Sequence, residues 1–298
     1  MKKTQKSVIV LVVLLAVLSL FGSCAQKSQA AVRIGSKNFT ESLILAELYA
    51  LALEDSGVKV ERRFDLASSV VHTALVNNEI DLYPEYTGTG LLAVLKLPLI
   101  TDPQEVYDTV KAEYAARFDI VWLDYAQAND GQGIVVTRKA SDAYGIRTIS
   151  DLQRNAEHVR FASQGEFDER EDGIPGLTKV YGPFNWASST VYSDALKYQV
   201  LAADEADAAP AYTTEGTLVD PAYVLLEDDR YVWPPYNIAP VVRRAALDQY
   251  PQIADALNAV NAKIDTPTIT QLNAKVDLDK REYDDVAKEF YASIKITQ

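Results

Sequence analysis

Pro84-Glu85-Tyr86-Thr87-Gly88-Thr89-Gly90 follows the apolar run 80–83 and precedes Leu91 and Leu92, so it reads as a strand, a turn and the start of a helix. The junction offers an aromatic face, two hydroxyls and free backbone N–H groups at one exposed corner, a combination able to hold a small molecule. Residues 88–93, Gly-Thr-Gly-Leu-Leu-Ala, also fit the loose G-x-G-x-x-A form of a dinucleotide fingerprint. A working fingerprint sets its glycines directly after the strand and an acidic residue about 20 positions later. Here Pro84 and Tyr86 crowd the turn and Asp102 opens the next helix, so a dinucleotide-dependent enzyme stands as the alternative rather than the leading reading.

Outward from this junction the chain alternates. Val32-Arg33-Ile34-Gly35 reads as a strand, and Asn38 with Glu41 three residues on makes a capping box for a helix over 43–53 that stops at Gly57. Val58, Val60 and Phe64 keep strand period, while Val70, Val71, Ala74 and Leu75 return to helix period. Tyr107, Val110, Tyr114 and Phe118 form one helical stripe, and 120–123, 133–137, 159–162, 206–212 and 238–242 are further strands. Helices are expected near Ser150 and Ser193, and the last 55 residues are helical. The pattern is α/β. No repeat, low-complexity tract or charge block follows residue 31, so two lobes would be joined not by a flexible linker but by paired crossing strands, for which 131–136 and 237–242 are the candidates.

Lys2, Lys3 and Lys6 precede an apolar stretch over 8–21, too short for an ordinary spanning helix and therefore a signal peptide, residues 1–23. The single cysteine, Cys24, follows Gly22 and Ser23 and resembles a lipobox, which would lipidate Cys24 and leave 24–31 as a membrane tether; a plain signal cut near Ala30-Ala31 is the other possibility. In both cases the exported domain has no disulfide and must rely on its core. Removal of the leader takes the formal charge from −13 to about −16, which disfavours nucleic acid and suits neutral, zwitterionic or cationic solutes.

Catalytic constellations are hard to assemble. There is no G-x-S-x-G, Walker A or C-x-x-C sequence, and the two histidines, His72 and His158, stand in unrelated contexts, His72 as a helix packing residue. Acids at Glu166, Asp168, Glu169, Glu171 and Asp172 lack the spacing of a calcium loop and read as a solvated loop. Of seventeen tyrosines, Tyr49, Tyr107, Tyr114, Tyr283 and Tyr291 sit at helical spacing. Tyr86, Tyr212 and Tyr236 instead lie at strand ends beside turn residues, where α/β proteins gather ligands.

Six segments then occur in order: Ser36-Lys37-Asn38-Phe39-Thr40-Glu41, residues 84–89, Asp151-Leu152, residues 166–177 with Arg170-Glu171-Asp172-Gly173, Tyr212-Thr213-Thr214-Glu215-Gly216, and Pro234-Pro235-Tyr236-Asn237. Together they resemble the glycine betaine, carnitine and choline binding proteins of osmoprotectant ABC importers, over nearly all of 32–298. The resemblance implies an exported, lipid-tethered solute-binding protein with the type II periplasmic-binding fold. Its implied lobes are 32–131 with 240–298, and 132–239, hinged on two crossing strands. It would work as a monomer without cofactor, metal or turnover and pass a trimethylammonium compound to ABC permease subunits by lobe closure. A surface sensor or scaffold of the same fold, without transport, is the other reading.

By position, the resemblance implies a cage of Tyr86, Tyr212 and Tyr236 for the quaternary ammonium, with Lys37, Thr89 and Arg170 on the carboxylate. A quaternary ammonium has no N–H to donate, so ring faces are its natural partners, while arginine meets a carboxylate with a planar fork. One position departs from the pattern: Gln132 stands where betaine-binding members commonly carry a ring. An amide there favours a ligand with a further polar group, such as choline or carnitine, unless Tyr125 or Trp233 closes the gap.

Overall fold

Strand period is realised as ten strands: β1 (Val32–Lys37), β2 (Val60–Leu66), β3 (Leu82–Tyr86), β4 (Ile120–Trp122), β5 (Gln132–Thr137), β6 (Arg160–Ser163), β7 (Ser188–Val191), β8 (Ala208–Tyr212), β9 (Tyr223–Leu225) and β10 (Ile238–Arg243). They are seen in a computed structural model that describes residues 30–193 and 196–295, the Glu166 side chain aside. The signal peptide, Cys24 and most of the tether lie outside the described residues. The strands form two five-stranded sheets, ordered β2-β1-β3-β10-β4 and β7-β6-β8-β5-β9. In each sheet one strand runs against its neighbours: β10 is antiparallel to β3 and β4, and β5 is antiparallel to β8 and β9.

Both faces of the inner strands of the first sheet are covered, and β3, β4 and β10 are correspondingly buried, while the edge strand β2 is largely exposed. Ile238 and Val242 of β10 join Ile34 and the buried Thr40–Asp55 helix in one core, while Ala239 and Val241 turn the other way onto Tyr83, Tyr114 and Trp122. His72 packs edge-on against Tyr114 and Phe118 in that second layer, and burial lowers its pKa. The second sheet repeats the scheme, with Ile134 and Val136 on one face and Val135, Ala209 and Ala211 on the other.

The crossings lie just before the segments expected to make them. The sheets are joined by residues 123–131 and 226–237, which pair at an antiparallel bridge, Asn129 to Asn237, and through further hydrogen bonds. The runs 131–136 and 237–242 are largely the sheet strands themselves. Ile238 and Ala239, assigned from sequence to the second lobe, pair with Tyr86 and Glu85 in the first sheet.

Two further expectations are revised. Thr40–Asp55 starts without a side-chain cap: Asn38 is exposed, and Glu41 is buried and turned into the protein, so the capping box does not form. A repeat does exist, hidden by its divergence. Arg33 of β1 donates through its backbone N and Nε to Asp81, and through NH1 to Asn78 O; Arg160 of β6 makes the same bonds to Asp207 and to Asp204 O. Asn78 and Asp204 both adopt left-handed backbone, at φ 62° and 58°, which short polar side chains tolerate. Residues 78–87 and 204–213 thus share Glu, Asp, Pro, Tyr and Thr at matching places. Tyr86 and Tyr212 are equivalent ends of equivalent strands, β3 and β8.

Burial pushes the Asp81 and Asp207 carboxyls up, but the bonds from Arg33 and Arg160 outweigh it and hold both below the ordinary aspartate range. A depressed carboxyl supplies stability above the unfolded value of about 4, lost as pH falls through the folded one. Asp81→Asn and Asp207→Asn should each cost about 1–3 kcal/mol at pH 7 and progressively less below pH 4. Urea unfolding across that range checks this, and an unchanged cost at low pH contradicts it.

Candidate ligand site

Tyr86 ends β3, and the chain turns at once into a helical turn at Thr87–Thr89 that widens to π geometry at Gly90–Val94. The corner is closed, not exposed: Tyr86 and Thr87 are buried. The Tyr86 hydroxyl donates to Glu41 Oε1 at 3.0 Å, so only its ring remains for other contacts. Lys37 Nζ stands 4.7 Å from the centre of that ring and donates to Glu85 Oε1 at 2.5 Å. Glu85 also accepts from the Tyr83 hydroxyl and from Tyr86 N, which gives the buried pair the extra bonds such pairs need. Lys37 is therefore turned inward, and Thr89 sits half-buried at the end of the helical turn.

The glycines of the candidate fingerprint are used for close packing. A Cβ on Gly88 would lie 2.6 Å from the Tyr236 ring, and one on Gly90 2.8 Å from the Trp122 ring. Rings occupy the room a phosphate would need, and the dinucleotide reading loses its basis.

Across the crossing, Gln132 opens β5 directly opposite Tyr212, the last residue of β8. Three of the sequence-selected residues, Gln132, Arg170 and Tyr212, line one cavity of about 50 Å³ with Gln164, Phe167 and Lys197. That volume admits one or two waters, so a solute needs the half-exposed Tyr212 and its neighbours to shift. Arg170 grips Asp172 with its fork, Nε to Oδ1 at 2.7 Å and NH2 to Oδ2 at 2.6 Å. Lys197 pairs with Glu215, which also accepts from the Tyr198 hydroxyl, and its ammonium lies 6.0 Å from the Tyr212 ring centre. The ring beside Gln132 is Phe167, not Tyr125 or Trp233. Tyr125 packs on Tyr107 at 4.9 Å, and Trp233 Nε1 donates to Asp172 O at 2.7 Å.

Tyr236 lies on the crossing between these halves. Its N–H donates to Asn129 Oδ1 at 2.5 Å and its ring is flanked by Gly88 and Gly131. Burial pushes its hydroxyl above the ordinary phenol range; the charges of Asp172, Tyr212 and Asp130 add to this and Arg170 opposes it, so groups of the second half and of the crossing surround it. Sequence reasoning passed over Glu41, Asp130, Phe167, Asp172, Lys197 and Glu215. Four of these, Glu41, Phe167, Asp172 and Glu215, fall inside the quoted segments, but nothing in their spacing separates them from solvated acids and packing residues; Asp130 and Lys197 carry no signal at all.

Two lobes on paired crossing segments, with polar and aromatic groups converging at strand ends between them, define an extracytoplasmic solute-binding protein of the type II periplasmic-binding fold. Residues 30–293 match the family described as the substrate binding domain of ABC-type glycine betaine transport systems, and the chain belongs to that family. It is 31% identical to the glycine betaine-binding protein YehZ of Escherichia coli K12, over 93% of this chain and 94% of that one. It is 30% identical to the ergothioneine transport permease/ergothioneine binding protein EgtU of Helicobacter pylori G27, over 86% of this chain. The chain spans about half of that relative's length (46%). A crystal structure of a glycine betaine/carnitine/choline ABC transporter protein superposes with a TM-score of 0.82 at 27% identity, covering 88% of this chain and 98% of that one. The family is a transport binding domain rather than an enzyme class, and among the described residues no helix is long and apolar enough to cross a membrane.

Gly88→Ala should destabilise the protein by about 1–3 kcal/mol through overpacking against Tyr236 and weaken solute binding with it. Urea unfolding reads the first effect and calorimetry the second; a variant as stable as the parent removes the close approach from the account.

Proposed function

We propose that this protein captures a trimethylammonium solute by closing its lobes and hands it to the permease of an ABC importer. The observation that carries the reading is the placing of Tyr86 and Tyr212 at the ends of equivalent strands, β3 and β8, with the Tyr236 ring against Gly88 and Gly131 on the crossing between the sheets. Ring faces are the partners a methylated nitrogen can use, at about 0.5–2 kcal/mol each. Arg170, and Lys37 or Lys197, would receive a carboxylate at the other end, with Thr89 adding a hydroxyl. A solute that touches both lobes favours the closed form by its differential affinity for it.

The lobes we assign follow the sheets: residues 32–128 with 238–295, and residues 132–235, hinged at 129–131 and 236–237. Glycine betaine, choline and carnitine are the candidate solutes. Gln132 and the small cavity beside it suit a betaine bearing a further polar group, a class that includes ergothioneine. Cys24 would carry the lipid that tethers a monomeric domain outside the membrane, and mass spectrometry of the membrane fraction, compared with Cys24→Ser, tests that anchor.

Calorimetry against glycine betaine, choline, carnitine and ergothioneine should find micromolar or tighter binding of at least one. Tyr86→Ala and Tyr212→Ala should each raise its Kd about two- to thirtyfold, the loss of one ring contact. Unchanged affinity in both variants would sink the cage. Gln132→Tyr should move preference toward glycine betaine, and an unaltered ranking would put that position outside the site.

A further inference from the structure

Beneath Tyr86 lies a group of buried polar residues that solute binding does not itself require. Glu41, buried, comes from the Thr40–Asp55 helix and Asp130, partly buried, from the first crossing, and the two carboxyls lie within hydrogen-bonding reach of each other. Glu41 Oε1 accepts from the Tyr86 hydroxyl and Oε2 from Asn273 Nδ2 at 2.9 Å. The same Nδ2 donates to Thr214 O at 2.9 Å, and Thr214 Oγ1 donates to Asp130 Oδ1 at 2.7 Å. Thr214 follows β8 in the second lobe, whereas Asn273 belongs to the Thr266–Asp277 helix of the first. The next turn, Gly216–Val219, packs so closely on that helix that a Cβ on Gly216 would lie 2.7 Å from Ala274 backbone.

Two carboxylates in contact and largely shielded from water repel each other, and one retained proton converts the repulsion into a hydrogen bond. We propose that Glu41 and Asp130 share one proton and act as positioning residues, holding the Tyr86 ring and latching the segment after β8 to the first lobe. Burial pushes both carboxyls up, and the neighbouring Glu41 pushes Asp130 further. The titratable groups facing the pair are Tyr86 from β3, Lys37 from β1 and Glu215 after β8. Tyr86 is held neutral by burial, and Glu215 is paired with Lys197. Lys37, whose charge opposes the rise at Asp130, is paired with Glu85.

Raised carboxyls bind a proton in the folded state that the unfolded chain releases above about pH 4. Stability is therefore fully present below that value and lost as pH rises through the folded one. Inside the window the unfolding constant of the full chain should climb about tenfold per pH unit, the signature of one proton. Glu41→Gln and Asp130→Asn each substitute a permanent amide for the protonated partner, and either should flatten that climb while leaving the acid limb in place. Urea unfolding at steps from pH 4.5 to 9 reads this without any solute. A parent with no such climb, or a climb that persists in both variants, overturns the shared proton. If one variant fails to fold, the parent's profile and the other variant still decide. The same profile with glycine betaine, choline, carnitine and ergothioneine all failing to bind would sink the solute reading and leave this one standing.

Discussion

The crossing is the constraint on which the site depends. Two segments leave one sheet and enter another with no third strand beside them, so their backbone groups must find partners locally or stay unpaired in a buried place. Asn237 answers this by donating to Ala126 O and Ala128 O, while Asn129 accepts from Tyr236 N and Asp130 N donates to Tyr236 O. These bonds leave Tyr236 one course, with its ring between Gly88 and Gly131. A ring is thus built into the joint itself, and both lobes must be organised around it.

Charge in the site is compensated before any solute arrives. Lys37 with Glu85, Arg170 with Asp172, and Lys197 with Glu215 pair each cation with a carboxylate of the same lobe. Paired charge is far cheaper to bury than single charge. A zwitterion can enter such a site by exchange, its carboxylate replacing an acidic side chain and its methylated nitrogen facing rings. The acidic composition of the protein adds a long-range preference for neutral or cationic over anionic solutes.

Much of the fold was legible because the strands of a covered sheet must be apolar and its helices must be striped. The ends of β3, β8 and β10 could be placed from 80–83, 206–212 and 238–242 alone. The strands that escaped notice, Ser188–Val191 and Tyr223–Leu225, are short edge strands with no buried face to set a period. Of the candidate site, the position of Tyr86 and Tyr212 at strand ends was legible, because a strand's last residue follows from its apolar run. The site was not legible where a residue type has several uses. Glu41 sits at the capping-box spacing from Asn38, yet tertiary partners, the Tyr86 hydroxyl and Asn273, take its carboxyl instead. Lys37 read as a solvated grip and is committed to Glu85, forty-eight residues away in sequence.

The hidden repeat explains how one fold makes a site with a direction. Arg33 with Asp81 and Arg160 with Asp207 place β3 and β8 alike, so that Tyr86 and Tyr212 arrive as near twins. Twins alone would make a symmetric slot, indifferent to which end of a solute entered first. The positions around them break the equivalence. Counting from the shared arginine, Lys37 matches Gln164, and counting from the shared aspartate, Glu85 matches Ala211. The first lobe therefore carries a buried ion pair under its tyrosine, and the second carries small or neutral groups that leave a cavity open to Arg170 and Lys197. Repetition sets an aromatic residue at the end of each strand, and divergence at these few positions gives the two ends different charge.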